Sequence, residues 1–125
     1  MKMGPLWDFD GGYGNYIYAN EQNQHLPFLD KHAWFEHLLK MPQFKAEVKK
    51  VWNNARSKIG ALDGEIVKLG NIVKNAQELN YELWDLTDTL GYIYPQYYSY
   101  DEQINYMRRY VKSRTSYMDR KVVSW

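Results

Sequence analysis

The stretch Leu62-Asp63-Gly64-Glu65-Ile66-Val67-Lys68-Leu69-Gly70-Asn71-Ile72-Val73-Lys74-Asn75-Ala76-Gln77-Glu78-Leu79-Asn80-Tyr81-Glu82-Leu83 decides the fold class. Leu62, Ile66, Leu69, Val73, Ala76, Leu79 or Asn80, and Leu83 recur at spacings of about three and four residues, which lays one stripe along an α-helix. Such a stripe is the seam of a helix bundle or of a coiled-coil pair. Two glycines interrupt it, Gly64 and Gly70, and each weakens a helix by about 1 kcal/mol relative to Ala.

Working outward, the same period continues on both sides. Toward the N-terminus, Phe44, Val48, Val51, Trp52 and Ala55 predict a helix that starts at Pro42, runs to about Lys58 and is ended by Gly60. Before it, Trp34, Phe35, Leu38 and Leu39 have helical spacing over about 31–40. Toward the C-terminus, Gly91, Pro95 and the ring-bearing Tyr92, Tyr94, Tyr97 and Tyr98 read as a loop pinned by its aromatic side chains. Ser99 with Glu102 three residues on is a capping-box signature. The helix it opens carries Ile104, Met107, Val111, Arg114, Met118 and Val122 along one stripe. The fold class is mainly α, a short N-terminal strand or arm followed by about four helices. Residues 1–125 form one domain, with an arm and polar loop over 1–30 and the helical part over 31–125.

Composition narrows the functions. A chain of 125 residues is one domain's worth, large enough to bury a core. There is no cysteine, hence no disulfide framework and no thiolate metal site, and the compartment stays undetermined. No run of about 18 apolar residues suggests a membrane span. Sixteen basic against fifteen acidic residues leave a net charge of +1, which argues against nucleic acid as a partner. Charge instead sorts by element, with a net +4 over 41–60, −4 over 61–99 and +3 over 100–125. Complementary faces in an antiparallel packing account for that most simply. A phosphate-binding stripe of Arg108, Arg109, Lys112, Arg114, Arg120 and Lys121, interleaved with Tyr106 and Tyr110, is the sharper alternative.

The chemistry-bearing stretch lies at the other end, in Gly4-Pro5-Leu6-Trp7-Asp8-Phe9-Asp10-Gly11-Gly12-Tyr13-Gly14-Asn15. Read as a strand, Leu6 to Asp10 turns Trp7 and Phe9 to one face and the carboxylates of Asp8 and Asp10 to the other. Two like charges that close are relieved by a raised pKa, by solvent or by a cation held between them, and a hard divalent ion with oxygen ligands suits the third case. An exposed strand end running into a glycine turn has the same sequence, so both readings stand. Other constellations are weaker. His32 and His37 are five residues apart and fall on different helical faces, and Glu78, Glu82 and Asp85 have no His at the spacing a di-iron site uses.

Together these residues resemble the C-terminal part of the CotH kinase family, the spore coat protein H type of kinase-like proteins. Gly4 to Asp10 followed by Gly14-Asn15 is similar to that family's most specific motif. Trp34-Phe35, Leu38-Leu39, Pro42, Phe44 and Trp52 are similar to a second stretch, and Ala76, Asn80, Tyr81 and Trp84 to a third. Glu102, Ile104, Tyr106, Met107, Arg114, Met118 and Asp119 resemble its closing helix.

The resemblance implies an atypical protein-kinase-like fold that phosphorylates protein serines with ATP and Mg²⁺. Asp8, followed by Phe9, then stands where a kinase holds Mg²⁺ against nucleotide phosphates, Asp10 is a second metal ligand or orients the first, and Asn15 assists at the nucleotide. A kinase's glycine-rich loop, phosphate-pairing lysine and catalytic aspartate precede that position, so the expectation is a segment that supplies the metal end of an ATP site and is inactive alone. Its partners are then a protein substrate, the missing upstream segment, or a second copy joined as a homodimer through the N-terminal arm. The alternative is a helical scaffold whose Tyr94, Tyr97 and Tyr98 dock a partner.

Overall fold

The computed structural model of the chain describes residues 33–84 and 99–125. They form four helices, α1 (Ala33–Leu38), α2 (Pro42–Gly60), α3 (Leu62–Leu83) and α4 (Tyr100–Ser124), with no strand among the described residues. The mainly α expectation holds there. The N-terminal strand or arm and the tyrosine-rich loop lie outside the described residues.

The starts of α2 and α4 have local causes. Leu39 and Met41 close α1 by donating their N–H groups to the carbonyls of Phe35 (2.8 Å) and Leu38 (2.9 Å). Met41 is extended (φ −89°, ψ 119°), and Pro42 follows with its ring already set for helix and no N–H to leave unpaired. At α4 the expected cap forms, since Glu102 donates its N–H to Ser99 Oγ at 3.2 Å. Asp101 and Glu102 in the first turn add negative charge where the helix dipole favours it.

The junction of α2 and α3 departs from expectation. Gly60 is the last residue of α2, yet the chain does not turn away there. Ala61 stays right-handed (φ −77°, ψ −13°), donates to the Ser57 and Lys58 carbonyls, and accepts from Glu65 N–H at 3.3 Å. The two helices therefore follow one another through a single residue and touch each other little.

α4 runs antiparallel along both. Lys49 on α2 donates to the Val123 carbonyl (3.3 Å), Arg56 meets Asp119, Asp63 meets Arg108, and Tyr100 reaches Gly70. One helix of 25 residues, about 37 Å long, thus spans the joint. Its apolar stripe is the one expected. Val122 is buried, Ile104, Met107, Val111, Arg114 and Met118 are half-buried, and Thr115 is buried with its hydroxyl donated to the Val111 carbonyl. Phe44, Val48, Trp52 and Ala55 are half-buried on α2, whereas Val51 is exposed.

On α3 the expected seam is corrected. Leu62 and Ile66 are half-buried, but Leu69, Val73, Leu79 and Leu83 are 56%, 47%, 62% and 77% exposed. The contact is made at Gly70, the buried residue of this helix. A Cβ placed on Gly70 would lie 3.1 Å from Ile104 Cδ1 and 3.5 Å from the Tyr100 hydroxyl, so the missing side chain is what lets α4 close in. Tyr100 donates its hydroxyl to the Gly70 carbonyl at 2.8 Å across that contact. Close approach sets how many atoms reach van der Waals distance, and the glycine face wins over the leucine face.

The two internal glycines should separate cleanly on mutation. Gly64 has nothing within 4 Å of an added Cβ, so Gly64→Ala should stabilise the chain by about 0.5–1 kcal/mol. Gly70→Leu forces a side chain into Ile104 and should destabilise it by about 1–3 kcal/mol. Urea unfolding followed by helical circular dichroism reads both, and a Gly70→Leu variant as stable as the parent would show that this contact does not matter.

Candidate functional site

The polar groups of the described helices gather where α4 crosses the α2–α3 joint. Trp52 and Arg56 are four residues apart on α2 and so share a face, and both reach Asp119 of α4. Trp52 Nε1–H donates to Asp119 Oδ1 at 2.9 Å, and Arg56 Nε–H lies 2.8 and 3.0 Å from the two carboxylate oxygens. The bond to Arg56 holds the Asp119 carboxyl below the usual carboxylate range against a partial burial that opposes it, and the indole bond helps. A few turns back, Arg108 of α4 grips Asp63 of α3 with two donors, Nε to Oδ1 at 2.8 Å and Nη2 to Oδ2 at 3.1 Å. That grip likewise lowers the Asp63 pKa. Asn105 accepts from Arg108 Nη1 at 3.3 Å and steadies the guanidinium.

These carboxylates are held ionised by donors already in place. A carboxyl so arranged is a weak general base and is not protonated at neutral pH, so its work here is to hold helices and orient guanidinium groups. Beside the Trp52–Asp119 contact, α2 and α4 leave an open apolar groove of about 340 Å³ lined by Phe44, Val48, Val51, Trp52, Met118 and Val122. Among the described residues no group of three or more His, Asp or Glu side chains could hold a metal ion, and no helix is long and apolar enough to cross a membrane. His37 is engaged locally, its Nδ1 2.7 Å from the Ala33 carbonyl oxygen.

Asp8, Asp10 and Asn15, and the partner-docking Tyr94, Tyr97 and Tyr98, all lie outside the described residues. The helical residues that carried the resemblance are in view. Trp52 and Asp119, 67 positions apart, meet in one hydrogen bond, Glu102 donates its backbone N–H to the capping Ser99, Ile104 sits against Gly70, and Tyr81 accepts from Gln103 at 2.9 Å. Trp84 and Asn80 are exposed.

The family model described as CotH kinase protein matches residues 1–118. The chain belongs to the CotH kinase family. No match was found among curated proteins or among solved structures. The matched span takes in the Asp8/Asp10 motif and most of α4.

Sequence reasoning missed the Arg56–Asp119 and Arg108–Asp63 pairs, whose partners stand 63 and 45 positions apart. The segmental charge pattern held a partial signal, because the basic last helix does pair with the acidic third through Arg108 and Asp63. Arg56 and Asp119 run the other way, an acid of the basic helix paired to a base of α2.

Because Asp63 and Asp119 have lowered pKa values in the folded chain, their contribution to stability is present above the unfolded carboxylate value of about 4 and is lost as pH falls through the folded values. The urea midpoint should therefore drop below about pH 4, and Asp119→Asn should flatten part of that drop while lowering the midpoint at neutral pH. An unchanged acid limb in Asp119→Asn would show that the Arg56 contact does not persist in solution.

Proposed function

We propose that this chain is a kinase-related segment of the CotH family in which Asp8 and Asp10 supply the carboxylates for Mg²⁺ at an ATP site. The supporting observation is the family match over residues 1–118, which contains both aspartates. Their chemistry fits the ion. Two carboxylates at positions i and i+2 offer hard oxygen donors on one side of an extended chain, the donor type Mg²⁺ prefers. When bound, Mg²⁺ neutralises phosphate charge during phosphoryl transfer. Asp8 holds the ion, Asp10 is a further ligand or orients Asp8, and Asn15 assists at the nucleotide. Gly11, Gly12 and Gly14 leave the backbone without side-chain bulk beside them. The partners in this reading are a protein substrate and upstream sequence or a second chain, joined through the N-terminal arm, that completes the site.

A second reading has its own support. Leu79, Leu83 and Trp84 are 62%, 77% and 66% exposed at the end of α3, next in sequence to the segment holding Tyr94, Tyr97 and Tyr98. Such a concentration of exposed apolar and aromatic residues suits a scaffold that docks a protein or glycan partner.

Calorimetric titration of the chain with Mg²⁺ and Mn²⁺, with and without ATP, separates the two. Metal binding should be present in the parent and lost in Asp8→Asn/Asp10→Asn, with helical content unchanged. No binding in the parent, or equal binding in the double variant, would sink the metal reading and leave the scaffold.

A further inference from the structure

We propose that the cleft between α4 and the α2–α3 joint is a binding site for a phosphate group, distinct from the Asp8/Asp10 motif. The cleft holds about 600 Å³, within the range of small-ligand sites. Its charged lining is Arg56, Asp63, Arg108, Arg109 and Lys112, with Asn105, Thr115 and Ser116 beside them. Four cations thus face one space.

Their arrangement gives the site its selectivity. Arg56 and Arg108 are neutralised and aimed by Asp119 and Asp63, at 2.8 Å in each case. Arg109 and Lys112 close no ion pair with a described residue, though the charge of Lys112 is felt by Asp63 and helps keep it ionised. Three residues apart on α4, they project from neighbouring positions on one side of the helix. With Asp119 counted beside Asp63, the cations of the cleft exceed its carboxylates by two. A phosphomonoester carries about −1.5 to −2 at pH 7 and three acceptor oxygens, which matches that excess. Guanidinium groups pinned in place lose little freedom on meeting it. A long polyanion fits less well, because the chain as a whole carries only +1.

The cleft also explains a local feature of the fold. Gly60 lies in its wall, where an added Cβ would approach only Arg56 Nη1, at 3.8 Å. A glycine at the joint keeps side-chain bulk out of the space the anion would enter.

The ligand's shared chemistry is the phosphate group, and its source is either free phosphate or a phosphate ester. Calorimetric titration of the full chain with inorganic phosphate, O-phosphoserine and adenosine monophosphate, at fixed ionic strength with chloride as reference, tests it. Binding should exceed chloride, and Arg109→Gln/Lys112→Gln should weaken it by about tenfold or more. Lys45→Gln/Lys50→Gln removes the same charge from α2 outside the cleft and should leave it unchanged. Comparable binding of all three probes identifies free phosphate as sufficient, and tighter binding of an ester identifies the ester as the source. No binding above chloride, equal losses in both double variants, or no loss in Arg109→Gln/Lys112→Gln overturns the proposal. Both side chains are exposed, and Arg109→Gln alone provides the same readout should the double variant lose helix. The cleft's described lining and the substituted residues are other than Asp8 and Asp10, so a failed Mg²⁺ titration and a failed phosphate titration remain separate results.

Discussion

The close approach of α4 to α3 at Gly70 is the constraint on which the rest of the helical part depends. A glycine within a helix costs stability locally, and here the cost is offset by a contact that a side chain would prevent. Ile104 fills the notch and the Tyr100 hydroxyl bonds the Gly70 carbonyl, which fixes both the distance and the rotation of α4. From that anchor α4 runs antiparallel along α3 and α2. The polar contacts to Asp63 and Asp119 lie further along the same helix.

Those contacts divide the work. Arg108 and Asp63 tie α4 to the start of α3, while Arg56, Trp52 and Asp119 tie it to α2. Since α2 and α3 touch each other little, α4 is the element that holds them in a fixed relation across Ala61. Partly exposed ion pairs add modest stability each, so their larger effect is on register and on where the guanidinium groups stand. The same pairs leave Arg109 and Lys112 as the cations of the joint that close no ion pair with a described carboxylate, although the charge of Lys112 also acts on Asp63.

The two proposed sites draw on unlike regions of the chain. Family membership joins the Asp8/Asp10 motif to the helices in one unit. The described helices carry carboxylates that are already committed to donors, which suits a platform more than a reaction centre. Their unused surface is apolar on α3, from Leu69 to Trp84, and basic at the joint. A platform with two such surfaces offers places for other groups to attach.

The sequence by itself determined the helices. The three-to-four spacing from Phe44 to Ala55, through Leu62 to Leu83, and from Ile104 to Val122 marked each one, Pro42 marked one start and Ser99 with Glu102 another, because caps and periodicity are local properties of the chain. It also carried the family, through the N-terminal motif and the spaced aromatic residues. Only the tertiary structure decided which face of α3 is covered, that α2 and α3 follow one another through Ala61, and that Arg56 and Arg108 find Asp119 and Asp63. The apolar stripe of Leu69, Val73 and Leu79 marks a face suited to burial, but periodicity says nothing of how near a neighbouring helix can come. That distance is set by steric fit between residues far apart in the chain, and at Gly70 the absence of a side chain set it.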